Sequence, residues 1–173
     1  MLCVAEVSCN YKQGTIGTVQ IPQIGWIIES DKKNVRQKSY QVQVAGDEDF
    51  NEILYDSKEV FSDQSNHVLL PELKLSSCTR YYYRVRLSDC DGERSEFSKT
   101  DFFETAFLKE DDWKAKFITA DTAEDAQLSD ARLLRTTFEI QKPIKSARAY
   151  VTALGLYEFY LNGKKVTDAV LTP

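Results

Sequence analysis

The chain is predicted to be all-β: a complete antiparallel sandwich over residues 1–106, a linker and lead-in segment at 107–132, and the first strands of a second β-sandwich over 133–173. Three observations carry this prediction. Apolar residues recur at every second position, the repeat of a strand with one buried face. Turn-forming residues separate the runs at short intervals. A charged break, Lys109-Glu110-Asp111-Asp112, divides one group of strands from the next.

The elements follow in order. Gly25 to Glu29 reads as a strand with Trp26 and Ile28 on one face. Ser39 to Ala45 alternates, with Tyr40, Val42 and Val44 inward and Gln41 and Gln43 outward. Ile53 and Tyr55 mark a strand within 52–57, and Val68 to Leu70 a shorter one. The strongest segment is Arg80 to Asp89, where Tyr81, Tyr83, Val85 and Leu87 share one face while Tyr82, Arg84, Arg86 and Ser88 share the other. Phe102 and Phe103 carry a last strand over 101–105. Turns are expected at Ala45-Gly46-Asp47, across 62–66, and at Asp91-Gly92, the last as a hairpin because Gly tolerates the positive φ that a type I′ turn demands. Short strands at this spacing over about 100 residues indicate an antiparallel sandwich.

Beyond the break, Leu134, Thr136, Phe138 and Ile140 alternate, a run from Ala147 to Leu154 follows, and Asn162-Gly163 predicts a hairpin that sets Phe159 opposite Val166. Residues 120–131 read as a short helix or a loop. About 60 residues after Trp113 are too few to cover both faces of a sheet, so the chain is expected to stop inside a domain.

Composition narrows the function classes. Acidic residues outnumber basic ones 27 to 22, and both signs are interspersed. The absence of a basic stripe argues against nucleic-acid binding, and the short apolar runs argue against a membrane span. The start, Met1 to Glu6, carries no secretory pattern, which favours a cytoplasmic location. Cys3, Cys9, Cys78 and Cys90 fit no zinc or redox spacing. They read as free thiols, with a Cys78–Cys90 bridge as the alternative. His67 is the sole histidine, which rules out a His/Cys metal cluster.

Leu75, then Thr79, Tyr81, Tyr83, Arg84 and Val85, resembles the strand E–F corner of fibronectin type III domains, in which the first Tyr packs inward and returns its hydroxyl to the backbone. Trp26 is similar to the buried strand-B tryptophan of that immunoglobulin-like fold. The second half is more specific. Asp112-Trp113-Lys114-Ala115-Lys116-Phe117-Ile118, Leu134-Arg135, Phe138, the run from Lys142 to Glu158, Leu161-Asn162-Gly163-Lys164-Lys165-Val166 and Leu171-Thr172-Pro173 resemble the N-terminal region of bacterial α-L-rhamnosidases. Ile24-Gly25-Trp26, Ser30-Asp31, Gln37 and Ser39 to Ala45 are similar to the same family's opening module. Phe117 departs from it, since the family more often carries Trp there.

The resemblance implies a fibronectin-like module followed by the start of an accessory jelly roll, both preceding a catalytic helical domain that holds the family's acids. It implies a non-catalytic segment of an inverting glycoside hydrolase, with that helical domain as partner. No cofactor, catalytic residue or metal ligand is expected within the chain, and no substrate-binding residue is assigned. Glycan contact and self-association through the open second domain are further expectations. The alternatives are a standalone adhesion or interaction module and a carbohydrate-binding fragment.

The chemistry of individual residues points the same way. Inverting hydrolysis needs two carboxylates about 6.5–9.5 Å apart across a pocket. The clusters Asp89/Asp91/Glu93 and Asp47/Glu48/Asp49 lie at turns and are expected to be solvated. Asp89, Asp91 and Gly92 lack the further ligands of a calcium loop. His67 has no evident catalytic partner. Tyr82, facing away from the core, is either a sugar-stacking platform or a surface packing residue, and Trp113 is expected to plug an interdomain interface.

Overall fold

A computed structural model describes residues 1–119 and 132–169, in two units, Met1–Lys114 and Ala115–Pro173. The first unit is a two-sheet sandwich. One sheet has the order β1-β3-β7, built from Leu2–Cys9, Gln23–Ser30 and Val68–Leu69, all antiparallel. The other has the order β2-β9-β8-β4-β5, built from Thr15–Thr18, Asp101–Thr105, Arg80–Asp89, Gln37–Ala45 and Ile53–Asp56. Strand β6, Val60–Phe61, also pairs with β4, and β2 lies parallel to β9.

The period-two reading of β8 holds at every position: Tyr81, Tyr83, Val85, Leu87 and Asp89 are buried, and the residues between them are half-buried. Tyr40, Val42 and Val44 of β4 and Phe103 of β9, the neighbouring strands, join Trp26 of the other sheet and the β8 apolar residues in one cluster. Trp26 donates its indole N–H to Gln37 Oε1 at 2.9 Å, which satisfies the ring's polar atom inside the core. The Ser76 backbone N–H donates to the Tyr81 hydroxyl at 2.7 Å, the hydroxyl-to-backbone bond expected of the corner. Ile28 is only half-buried, and Ile53 is exposed.

Several expectations need correction. Strands β1 and β2 have no counterpart among the elements expected from the sequence. Gln41 and Gln43 point away from the core as expected, yet both are buried, because side chains of β8 and β5 lie across them. Asp91-Gly92 does not form a two-residue turn. The Asp89 N–H donates to Glu93 O at 2.9 Å, closing a three-residue loop with Gly92 at φ 89°. All four cysteines are free. Cys78 and Cys90 flank opposite ends of a ten-residue strand, which separates them by about 30 Å, whereas a disulfide needs Cα atoms within about 7 Å.

The first unit extends past Ala106. The Leu108 N–H donates to Ser77 Oγ at 2.9 Å, Ser77 Oγ donates to Asp112, and a 3₁₀ turn covers Glu110–Asp112. Trp113 packs edge-on against Phe107, with centroids 5.4 Å apart.

In the second unit the expected hairpin is present. Strands β10, Tyr160–Leu161, and β11, Lys164–Lys165, pair across Asn162 (φ 50°) and Gly163 (φ 75°), and the Val166 N–H donates to Phe159 O at 3.0 Å. The strands expected at 134–140 and 147–154 are not formed. An alternating segment becomes a strand only when a neighbour satisfies its backbone groups, and no such neighbour lies beside them among the described residues. Residues 120–131 and Leu171-Thr172-Pro173 fall outside the described residues. Among those described, no helix is long and apolar enough to cross a membrane.

Candidate functional site

Of the acids singled out from sequence, Asp47 and Asp89 brace the loops that carry them. Asp47 accepts from the backbone N–H groups of Asp49, Asn51 and Glu52 at 3.1, 3.0 and 2.8 Å. The bonds from Asn51 and Glu52 hold its carboxyl below the usual carboxylate range. Asp89 is buried rather than solvated, because its Oδ1 turns inward to accept from Asp91 N and Glu93 N at 3.0 and 2.7 Å. Its Oδ2 has no hydrogen-bond partner among the described residues. Glu93 pairs with Lys32 at 2.6 Å and accepts from Leu2 N at 2.9 Å. Among the described residues no group of three or more His, Cys, Asp or Glu side chains is placed to hold a metal ion.

Tyr82 is half-buried and lies opposite Phe102 across β8 and β9, with ring centroids 6.5 Å apart. That is a cross-strand packing position. His67, which precedes β7, meets the exposed ring of Tyr11 edge-on and bonds its hydroxyl. Both residues have positive φ, 51° and 65°. They border a cleft of ≈ 310 Å³, lined also by Glu6, Ser8, Trp26 and Asn66. Sequence reasoning missed this cleft, since Tyr11 stands in no periodic run. Glu6 is the one carboxylate among the described residues lining it. A lone carboxylate cannot supply both the general acid and the general base of inversion.

A second feature also escaped the sequence reading. On the outer face of β8, Arg84 donates through Nε and Nη2 to Gln43 Oε1 at 3.0 and 2.7 Å, and Arg86 donates through Nε to Gln41 Oε1 at 2.8 Å. Arg94 reaches the same Gln41 oxygen at 3.3 Å. Gln41 and Gln43 donate in turn to Asp56 at 2.6 and 3.2 Å. Arg84 lies over the rings of Phe50 and Phe97 at 4.0 and 4.2 Å, and Arg86 over Phe97 at 4.4 Å. Burial and the neighbouring Arg86 hold Arg84 below its ordinary pKa, and burial and Arg94 do the same to Arg86. Burial pushes Asp56 up, but bonds from Gln41, the Lys58 backbone and side chain, and Gln43 outweigh it and bring the carboxyl down to about 2.

Known proteins resemble both units. Residues 4–109 match the family model described as the Rha78A-like, N-terminal immunoglobulin domain. The chain belongs to that family. Residues 142–173 match the α-L-rhamnosidase N-terminal domain, so the two models follow one another along the sequence. An α-L-rhamnosidase of Formosa agariphila is 29% identical over 97% of this chain and 20% of its own length. One of Alteromonas sp. (strain LOR) is 32% identical over 84% of this chain and 17% of its own. Among solved structures, the α-L-rhamnosidase of Streptomyces avermitilis, complexed with L-rhamnose, aligns with TM-score 0.67 and 34% identity. It covers 70% of this chain and 12% of that one. The α-L-rhamnosidase from Dictyoglumus thermophilum aligns with TM-score 0.65 and 27% identity over 69% of this chain and 14% of that one. The chain thus spans a fifth or less of the length of the rhamnosidases it matches, and corresponds to their N-terminal region.

Proposed function

We propose that this region is a non-catalytic, structural part of an enzyme that removes terminal α-L-rhamnose from glycans by inversion, and that it braces that enzyme's catalytic helical domain. The observation that carries the reading is the order of the two matched models, an immunoglobulin-like domain at 4–109 and then a rhamnosidase N-terminal domain at 142–173. The lone Glu6 in the cleft supports the non-catalytic part. Four free thiols favour a reducing compartment, and a cytoplasmic location belongs to the proposal.

Turnover of an aryl α-L-rhamnoside tests the reading. The 173-residue chain is expected to give none, while a protein extended to the length of its relatives hydrolyses it with inverted anomeric configuration. Turnover by the short chain, abolished by one Asp or Glu substitution, would overturn it.

Self-association of the isolated chain is favoured by one observation: Phe138, Ile140, Val151 and Val166 are all exposed. Apolar residues left uncovered in this way favour strand addition or association. Sedimentation of the chain with and without residues 115–173 reads it directly.

A further inference from the structure

The outer face of β8, with Arg94 opposite Ser88 at its end, carries two kinds of arginine. Arg80 is neutralised where it stands, with Nη2 2.6 Å and Nε 2.7 Å from Glu104 Oε1. Arg84, Arg86 and Arg94 are held by the amide oxygens of Gln43 and Gln41, and no carboxylate among the described residues lies within ion-pair distance of them. An amide oxygen fixes the plane of a guanidinium without cancelling its charge. The Gln side chains are themselves fixed by Asp56, whose charge is shared with Lys58 at 3.0 Å. Glu59, beside this row, bonds Ser39 Oγ at 2.7 Å. The result is a preoriented row of guanidinium groups that makes no direct ion pair among the described residues, although Asp56, Glu96 and Glu59 act on Arg86 at longer range, on a chain whose net charge is −5. Arginine's planar fork suits paired oxygens of a carboxylate.

We infer that the Arg84–Arg86–Arg94 face is a docking surface for a protein partner that presents carboxylates. The choice of a protein rests on geometry. The face is the outside of a sheet rather than a cavity, and the guanidinium groups of Arg84, Arg86 and Arg80 already lie on the rings of Phe50, Phe97 and Phe102. Those rings are thereby removed as stacking platforms for a sugar. Arg84 and Arg86 alternate along one strand, so their spacing of about 7 Å matches acidic side chains on a strand or on successive turns of a helix. Within the proposed function, the partner surface belongs to the remainder of the rhamnosidase, and the inference rests on that reading only for the partner's identity.

The test uses the 173-residue chain, a hexaglutamate peptide as probe, and the arginine Nε–H resonances as readout. Saturable shifts at Arg84 and Arg86 are expected, weakening about tenfold from low to physiological salt as surface charge is screened. The R84Q/R86Q double variant should lose at least about tenfold in affinity, as expected when a desolvated charge pair is truncated. Arg80→Gln should leave binding unchanged. If the double variant misfolds, Arg94→Gln on the exposed rim supplies the second readout, again as weakened binding. Absence of saturable shifts, equal binding by the glutamine variants, or binding of trigalacturonate in place of the peptide would each overturn the inference. None of these outcomes bears on rhamnoside turnover, so the two readings fail separately.

Discussion

Residues 1–114 and 115–173 are written in the same alternating pattern, yet they differ in what the alternation achieves. In the first unit Tyr83, Val85, Val42, Val44 and Phe103 have no measurable exposure, because a second sheet closes over them. In the second unit, Phe138, Ile140, Val151 and Val166 obey the same period and remain exposed, and no residue of 132–169 is buried. Alternation specifies which side chains would share a face. It does not supply the facing layer, nor the neighbouring strand that satisfies each backbone N–H and C=O.

Matched truncations break this comparison most sharply. Phe103→Ala, inside the closed core, should destabilise the first unit by about 3–5 kcal/mol. Phe138→Ala, on the open face, should stay within about 0.5 kcal/mol. Chemical denaturation followed by near-ultraviolet circular dichroism reads both. A comparable loss at Phe138 would mean that the second unit buries a core of its own.

Acid denaturation gives the next largest effect. The Asp56 carboxyl is lowered from 3.8 to about 2 in the folded chain. A depressed folded value means that its stabilisation is fully present above about pH 4 and lost as pH falls through about 2. The amount is about 2 kcal/mol. Asp56→Asn should therefore flatten the stability profile of the first unit between pH 4 and 2, and an unchanged profile would dissociate Asp56 from the Gln41/Gln43 network. A smaller loss belongs to the corner: Tyr81→Phe removes the bond from Ser76 N–H and should cost about 1 kcal/mol in the same unfolding assay.

What the sequence disclosed, and what it did not, has physical causes. Strand β8 was legible because nothing interrupts its period, and the Asn162-Gly163 hairpin because few residues tolerate two successive positive φ values. Strand β1 was not, because a bulge between Val4 and Glu6 reverses the phase. Leu2 and Val4 are buried before it, Val7 and Cys9 after it, and a period-two count cancels. Strand β2 is four residues long and pairs in parallel with β9, whose sequence is far away. The arginine row depends on cross-strand register: Gln43 faces Arg84 and Gln41 faces Arg86 only once β4 and β8 are paired. Register also explains why Gln41 and Gln43, outward by period, are buried in fact. The Tyr11–His67 cleft joins residues 56 apart and has no local signature.

The contrast between a closed and an open unit is read most directly by amide hydrogen exchange on the intact chain, at a concentration where sedimentation shows a monomer. Exchange resolves local opening from global unfolding residue by residue. The amides of β3, β4 and β8 are expected to exchange only through global unfolding, while those of 133–161 exchange orders of magnitude faster. If the amides of 133–161 in the monomer are protected as strongly as those of β8, the second unit is closed on itself and the contrast between the two units collapses.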